Sequence, residues 1–170
     1  MKIFIYLIQF FIISLLLVFF KILGYRIASN CGGFIGSFFG QMFRSKKLIE
    51  GNIKKSFPKI SENEMEKIIK TMWSNYGRIL SDYVFIKNFR QSKLEKYLEV
   101  EGKEIFEEIK KSGEPVVFIS GHFNNFELMA MEIEKSGVRV AAIYRPLNNI
   151  FLNIIMESIR KKYICKHQIK

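Results

Sequence analysis

The sequence predicts an α/β protein in which an N-terminal membrane helix precedes a helical region and a partial, mostly parallel sheet with flanking helices. Three patterns predict this fold: one long apolar run, one long amphipathic stripe, and short apolar runs that alternate with amphipathic segments. They divide the chain into a membrane anchor over residues 1–25, a helical membrane-proximal region over 26–95 and a partial α/β domain over 96–170.

The apolar run extends from Ile3 to Phe20 and is interrupted only by Gln9 and Ser14. As a helix of about 1.5 Å per residue it spans about 27 Å, close to the ~30 Å hydrocarbon core of a bilayer. A cleaved signal peptide is the alternative, but the run is long for one and no A-x-A-like site follows it. We therefore predict a single membrane anchor.

The basic residues predict on which side of the membrane the body lies. The chain carries 27 Lys and Arg against 16 Asp and Glu, a net charge of +11. Many of the bases follow the apolar run closely, and positive charge favours the cytoplasmic side. We expect the body on the cytoplasmic side of the membrane. Only Lys2 precedes the run, whereas the bases that follow it before residue 56 are Lys21, Arg26, Arg44, Lys46, Lys47, Lys54 and Lys55.

Glycines at positions 32, 36 and 40 repeat every fourth residue among phenylalanines. This spacing lets a helix approach a neighbouring helix closely or lie in the membrane interface. A second apolar core helix is an equally good interpretation.

Capping and turn residues predict where the helices and strands after the membrane anchor begin and end. Ser61 and Glu64 form a capping box before a helix whose apolar stripe continues to Tyr83. Beyond it, Ser-Gly pairs end helices and β-rich runs follow them. The expected elements are an edge strand at 97–100, a helix at 103–111, a strand at 116–119, a helix from about 125 to 135, a strand at 138–144 and a helix at 149–162.

The junction after the predicted strand 116–119 carries the candidate chemistry, because ligand sites of open α/β sheets lie at such strand ends. His122 and Glu127 are five residues apart there, and they can meet only if His122 lies in the turn and Glu127 inside the helix, with Asn124 or Asn125 as its cap. Glu127 would then orient the imidazole as a general base, and free N–H groups of the helix could face an oxyanion or a phosphate. The alternative is a histidine that only satisfies backbone groups.

Other site classes are disfavoured. The two cysteines, Cys31 and Cys165, form no C-x-x-C pair, and H-x₄-E is not a zinc motif, so we expect no metal and no cofactor. Nucleic-acid binding is disfavoured because the charge is spread along the chain and the aromatic residues follow core-like stripes.

Several segments together resemble the lipid A biosynthesis acyltransferases, typified by the lauroyl acyltransferase, within the lysophospholipid acyltransferase superfamily. They occur in the family's order: the apolar N-terminus, Asn52 to Pro58, Gly121-His122-Phe123 with Glu127, Tyr144-Arg145-Pro146 with Asn148-Asn149, and Arg160. Where the family commonly reads His-Phe-Gly-Asn-Trp-Glu, this chain has Asn124 for the glycine and Phe126 for the tryptophan.

The resemblance implies that His122 is the general base that activates a hydroxyl of a lipid A precursor and that Glu127 orients it. The hydroxyl would attack the acyl thioester of an acyl carrier protein. Arg145, Arg160 and Asn125 are the expected substrate-binding residues. Because the family's chains continue beyond the position of Lys170, we expect a sheet that is incomplete, and the alternative function is an inactive membrane-bound remnant of such an enzyme.

Overall fold

The computed structural model describes residues 1–170. The chain forms two compact units. The helical unit comprises Leu16–Val84, and the α/β unit comprises Met1–Leu15 together with Phe85–Lys170. The three-part division predicted from the sequence, at residues 25 and 95, stays a prediction.

Helix α1 runs from Lys2 to Leu23 and contributes to both units. By length and composition it is the one helix in the structure that could cross a bilayer, and Phe20 is its only buried residue. It ends at Gly24, whose φ of 74° is a conformation that residues with a Cβ rarely adopt. These properties are consistent with association of the protein with a membrane.

The helical unit contains three further helices: α2 at Tyr25–Phe39, α3 at Lys46–Ser56 and α4 at Glu62–Asp82. A short 3₁₀ helix, Gly40–Phe43, follows α2. Ile49 of α3 packs with Met65 and Ile69 of α4 to form a buried cluster. The amphipathic stripe thus forms a core as predicted, although Ile68 and Tyr76 at its margins are exposed.

The glycine repeat of α2 packs against α4. A Cβ on Gly32 or Gly36 would overlap backbone atoms of α4, and one on Gly40 would overlap the Trp73 ring. Gly77 of α4 faces them in the same way. Arg78 adds hydrogen bonds to Ser29 Oγ at 3.3 Å and Asn30 Oδ1 at 3.0 Å. Close approach to a neighbouring helix, one of the interpretations of the repeat, is therefore observed.

The tight crossing of α2 and α4 makes Gly77 intolerant of substitution. A Gly77→Ala variant is expected to lose about 1–3 kcal/mol in the free energy of unfolding, because the new methyl group overlaps the Gly32 carbonyl. Gly51→Ala in α3 is the matched control, because its Cβ would meet nothing within 4 Å and it should gain roughly 0.5–1 kcal/mol. Chemical denaturation followed by circular dichroism measures both, and equal effects of the two changes would contradict the crossing.

The capping box of α4 forms as predicted. Ser61 Oγ accepts from the Glu64 backbone N–H at 3.3 Å, and Glu64 Oε2 accepts from the Ser61 backbone N–H at 3.1 Å. The side-chain and backbone hydrogen bonds from Ser61 lower the pKa of Glu64. The cap is therefore at full strength above the ordinary pKa of the carboxyl and weakens as the pH falls through the lowered value.

The α/β unit contains helices α5 to α8 and two short strands. They are α5 at Ile86–Gln91, α6 at Lys103–Ser112, α7 at Glu127–Lys135, β1 at Ala141–Ile143, α8 at Ile150–Tyr163 and β2 at His167–Ile169. The strands pair in parallel, with Ala141 opposite His167 and Ile143 opposite Ile169. The α/β class with a small parallel sheet is therefore confirmed.

Helix α8, which connects the two strands, is tied to the first half of α1. The Asn149 side chain caps α8 by accepting from the N–H groups of Phe151 and Leu152. Its amide nitrogen donates to the Tyr6 carbonyl at 2.9 Å and to Gln9 Oε1 at 3.1 Å. One buried side chain thus holds a helix start and anchors α1 to the α/β unit.

Two predicted strands are wrong. Val116–Ile119 has no regular secondary structure and pairs with no strand, and Val117 and Ile119 are 83% and 92% exposed. The run 97–100 contains the end of a 3₁₀ helix, Glu95–Tyr97, instead of an edge strand. A β-rich run becomes a strand only when a neighbour accepts its backbone hydrogen bonds, and neither segment has one. The strand predicted at 138–144 is shorter, since only Ala141–Ile143 pairs.

Candidate functional site

An ion pair between Glu127 and Arg160 lies at the start of α7. Both Nε and Nη2 of Arg160 donate to Glu127 Oε1, the former at 2.8 Å. The two side chains are 7% and 13% exposed. Helix α8 brings the arginine to this point from 33 residues away in the chain. The pair is therefore a product of tertiary packing, with most of its surface removed from water.

Tyr144 borders this ion pair. The guanidinium of Arg160 lies 5.5 Å from the centroid of the Tyr144 ring, a cation–π arrangement. The Tyr144 hydroxyl hydrogen-bonds to Glu157, which also pairs with Lys170 at 3.0 Å. Of the Tyr144-Arg145-Pro146 segment, only Arg145 was expected to bind substrate, and Tyr144 was given no role. The Tyr144-Arg145-Pro146 tripeptide was the sequence signal that could have pointed to Tyr144.

His122 lies on the surface just before α7. Its ring is exposed and contacts the Phe126 ring, with centroids 4.3 Å apart. The hydrogen bonds that we describe for the Glu127 carboxylate come from Arg160 and not from the imidazole. The structure thus places His122 and Glu127 at one turn, with the ring accessible to solvent and the carboxylate buried.

The turn between His122 and Glu127 differs from the predicted cap. Phe126 occupies the N-cap position of α7 with no side-chain hydrogen bond, so neither Asn124 nor Asn125 caps the helix. The N–H groups of Phe126, Leu128 and Met129 donate to carbonyls two or three residues earlier. These three groups are consequently not available to an oxyanion or phosphate, contrary to our expectation.

Asn124 adopts the left-handed conformation, with φ of 47°. Asparagine and glycine tolerate this region, whereas a β-branched residue does not. This conformation accounts for asparagine at the position where the resemblance led us to expect glycine.

The conformation of Asn124 predicts which substitutions it tolerates. Asn124→Gly is expected to leave the stability of the protein nearly unchanged, while Asn124→Val costs roughly 1–3 kcal/mol because of backbone strain. Thermal unfolding of the two variants checks this, with Asn148→Val as a control on another exposed asparagine. A valine tolerated equally at both positions would show that the turn is not strained.

The other two expected substrate-binding residues, Asn125 and Arg145, lie in different surroundings from the ion pair. Asn125 is partly buried in the turn, where its carbonyl accepts from the Leu128 N–H at 3.2 Å. Arg145 is exposed in the loop after β1 and takes no part in the ion pairs that we describe. Sequence analysis gave Asn149 only as part of the resemblance and assigned it no role, although an asparagine just before a helix is a recognisable cap.

His122 lines neither of the two pockets that we describe. One of them, about 670 Å³, lies in the helical unit at the α3–α4 turn and is lined by residues such as Phe57, Pro58 and Ile68. No group of three or more His, Cys, Asp or Glu side chains is arranged to hold a metal ion. The candidate site is thus identified by its exposed imidazole and not by a pocket.

The exposed His122, the buried Glu127 and the apolar first helix belong to the segments through which the sequence resembles the lipid A biosynthesis acyltransferases. A family model described as "Bacterial lipid A biosynthesis acyltransferase" matches residues 1–166. The chain belongs to this family.

Curated relatives support the assignment. The chain is 25% identical over 137 residues to "Lipid A biosynthesis myristoyltransferase" of Escherichia coli (strain K12) and, over the same length, to "Lipid A biosynthesis acyltransferase 1" of Shigella flexneri. Each match covers 81% of this chain and 42% of the relative. The chain thus spans less than half the length of these relatives. No solved structure matches it significantly.

Proposed function

We propose that the protein is an O-acyltransferase that moves a fatty acyl chain from acyl carrier protein to a hydroxyl of a lipid A precursor. Family membership over residues 1–166 supports the reaction class. The single observation that carries the assignment to His122 is its position, exposed at the turn that leads into the buried Glu127.

The proposed reaction is a transfer between a thioester and an alcohol. His122 takes the proton of the acceptor hydroxyl as its oxygen attacks the thioester carbonyl. The tetrahedral intermediate then collapses, the carbon–sulfur bond breaks, and the thiolate of the carrier takes up the proton held by His122, which restores the base. The products are an ester of the glycolipid and the free thiol of the carrier. General-base assistance of this kind is worth ~10²–10⁴ in rate.

The buried ion pair supports a functional role for Glu127. Removing a carboxylate and a guanidinium from water costs free energy that their attraction often does not recover, so a buried pair is a weak contribution to stability. We assign Arg160 to hold the Glu127 carboxylate in position, and thus to act on the reaction through it.

Glu127 can orient His122 while it remains bound to Arg160. A carboxylate offers about four acceptor sites on its two oxygens, so the arginine does not exhaust its capacity. Catalytic hydrogen bonds are often long or misaligned before substrate binds. We propose that the His122 ring turns from Phe126 toward Glu127 when the acceptor is bound.

The net charge of +11 suits the proposed partners, because lipid phosphates and an acidic carrier protein are both attracted to a basic surface. We assign Arg145, which is exposed, to phosphate or sugar of the acceptor, and Asn125 to a polar contact at the same turn. No cofactor and no nucleic acid enters this proposal.

We place the protein at the inner membrane, anchored through α1. Its body lies on the cytoplasmic side, because the basic residues that follow α1 favour that orientation. The contacts of Asn149 with Tyr6 and Gln9 favour a second arrangement, in which α1 lies along the membrane surface. A reporter fused to the N-terminus distinguishes them, since only a crossing helix exposes it to a protease added outside the cytoplasm.

The transfer is tested by incubating the full chain, in native membranes, with a lipid A precursor and an acyl carrier protein loaded with one acyl chain. The expected result is a glycolipid heavier by one acyl group, with acyl-coenzyme A a poor donor. Absence of transfer with every acyl length would reject the activity for this chain. That result would favour the second candidate, a non-catalytic membrane-bound relative. The Val116–Ile119 segment supports this candidate, because it pairs with no strand and is largely exposed.

A further inference from the structure

Helix α2 has two opposite faces, and only one of them is covered within the helical unit. Gly32, Gly36 and Gly40 lie on the face that packs against α4. Phe34 and Phe38 are displaced from the glycines by two positions, which is about 200° around a helix. The phenylalanines consequently point away from α4.

Exposed apolar side chains continue along the chain into the 3₁₀ helix, where the Phe43 ring also meets the Trp73 ring of α4 with centroids 6.4 Å apart. We call these exposed side chains the aromatic face, which comprises Ile27, Phe34, Phe38, Met42 and Phe43. Phe34 and Phe38 are 71% and 70% exposed, and Met42 and Phe43 are 81% and 79% exposed. The Phe34 and Phe38 rings stack at 6.4 Å. A contiguous exposed patch of large apolar side chains marks an interaction surface.

Two observations indicate which partner covers the aromatic face. It begins four residues after the end of α1, the helix with the length and composition to enter a membrane. It is followed at once by the exposed bases Arg44, Lys46 and Lys47. An apolar surface bordered by bases is complementary to the boundary between lipid headgroups and acyl chains in an anionic leaflet.

We propose that the aromatic face of α2 and the following 3₁₀ helix inserts into the interface of an anionic membrane, as a second membrane contact besides α1. The phenylalanines enter the acyl-chain boundary, and Arg44, Lys46 and Lys47 bind lipid phosphates. The proposal rests on membrane association of the protein but not on acyl transfer. It applies to a crossing α1 and to one that lies along the surface.

The protein has one tryptophan, Trp73, which allows the depth of single positions to be measured. In a Trp73→Phe background, Phe38→Trp and Phe34→Trp report on the aromatic face. Asn63→Trp, at an exposed position ten residues before residue 73 on α4, is the matched control. Each full-length variant is reconstituted in vesicles of phosphatidylglycerol and phosphatidylethanolamine whose acyl chains are brominated near the headgroup, since bromine quenches tryptophan at contact.

The expected result is a blue-shifted and strongly quenched emission for Phe38→Trp and Phe34→Trp, with little quenching for Asn63→Trp. Changing Arg44, Lys46 and Lys47 together to glutamine should reduce the quenching in this mixture. Equal quenching at positions 38 and 63 would overturn the proposal. So would weak quenching together with cross-linking between aromatic faces of two copies, which would identify a dimer interface.

The unmodified chain provides a second measurement that does not depend on the folding of variants. Phosphatidylglycerol that carries a photoreactive diazirine near its headgroup is expected to label residues 34–43 well above residues 62–70, as mapped by mass spectrometry. Labelling confined to α1 would contradict the second contact. Neither measurement uses acyl transfer, so failure here and failure of the proposed activity are separate outcomes.

Discussion

The His122→Gln variant is expected to lose acyl transfer by ~10²–10⁴, the usual contribution of a general base. Glutamine keeps a polar side chain of similar reach but cannot take up the proton of the acceptor hydroxyl. Because His122 is exposed, its replacement should leave the folded structure intact. The decrease should therefore appear in kcat/KM and not in the amount of folded protein.

His167→Gln is the control for this prediction. His167 is the second histidine of the chain and is exposed on β2, outside the candidate site. Its variant should retain the activity of the unmodified chain. If both histidine variants keep full activity, the reaction does not use His122 as its base.

The Arg160→Leu variant is expected to lose about 3–5 kcal/mol in the free energy of unfolding, because it leaves the buried Glu127 carboxylate without its counter-charge. Chemical denaturation measures this loss. The double variant Arg160→Leu/Glu127→Leu should recover much of it, since a buried pair replaced by apolar residues is often neutral. It should nevertheless be inactive in acyl transfer.

Lys161→Leu is the matched control, as it changes an exposed base at the next position of α8. Its effect should stay within about 0.5 kcal/mol, as for most surface substitutions. An Arg160→Leu variant no less stable than the Lys161→Leu variant would show that the Glu127–Arg160 pair does not exist in solution.

Local signals in the sequence predicted the helices well. The capping box at Ser61 and Glu64 places the start of α4, and the helix predicted at 149–162 is observed as Ile150–Tyr163. Both depend on neighbours within four residues, which the sequence displays directly. A close helix contact was one interpretation of the glycine repeat, which could not identify α4 as the partner.

Features that depend on distant residues were predicted poorly. The Val116–Ile119 run has strand composition, but a strand requires a partner that no local pattern specifies. The partner of the Glu127 carboxylate could not be predicted either, because Arg160 lies on α8, 33 residues further along the chain. The resemblance to the family drew attention to both residues without indicating that they bond to each other.

The turn before α7 was misjudged for a local reason. Asparagine favours both helix caps and left-handed backbone, and the sequence does not decide between these uses. The structure has Asn124 at positive φ and Phe126 at the cap position. The consequence is that His122 lies on the Phe126 ring, a contact that the predicted cap geometry did not include.

A double-mutant cycle tests most directly whether His122 and Glu127 act together in acyl transfer. Rates would be measured for the unmodified chain, His122→Gln, Glu127→Gln and the double variant, with the folded fraction of each determined by circular dichroism. If Glu127 acts through His122, the double variant should be no slower than the His122→Gln variant. Losses that multiply in the double variant would show that the two side chains contribute independently, and the proposed pair would then be wrong.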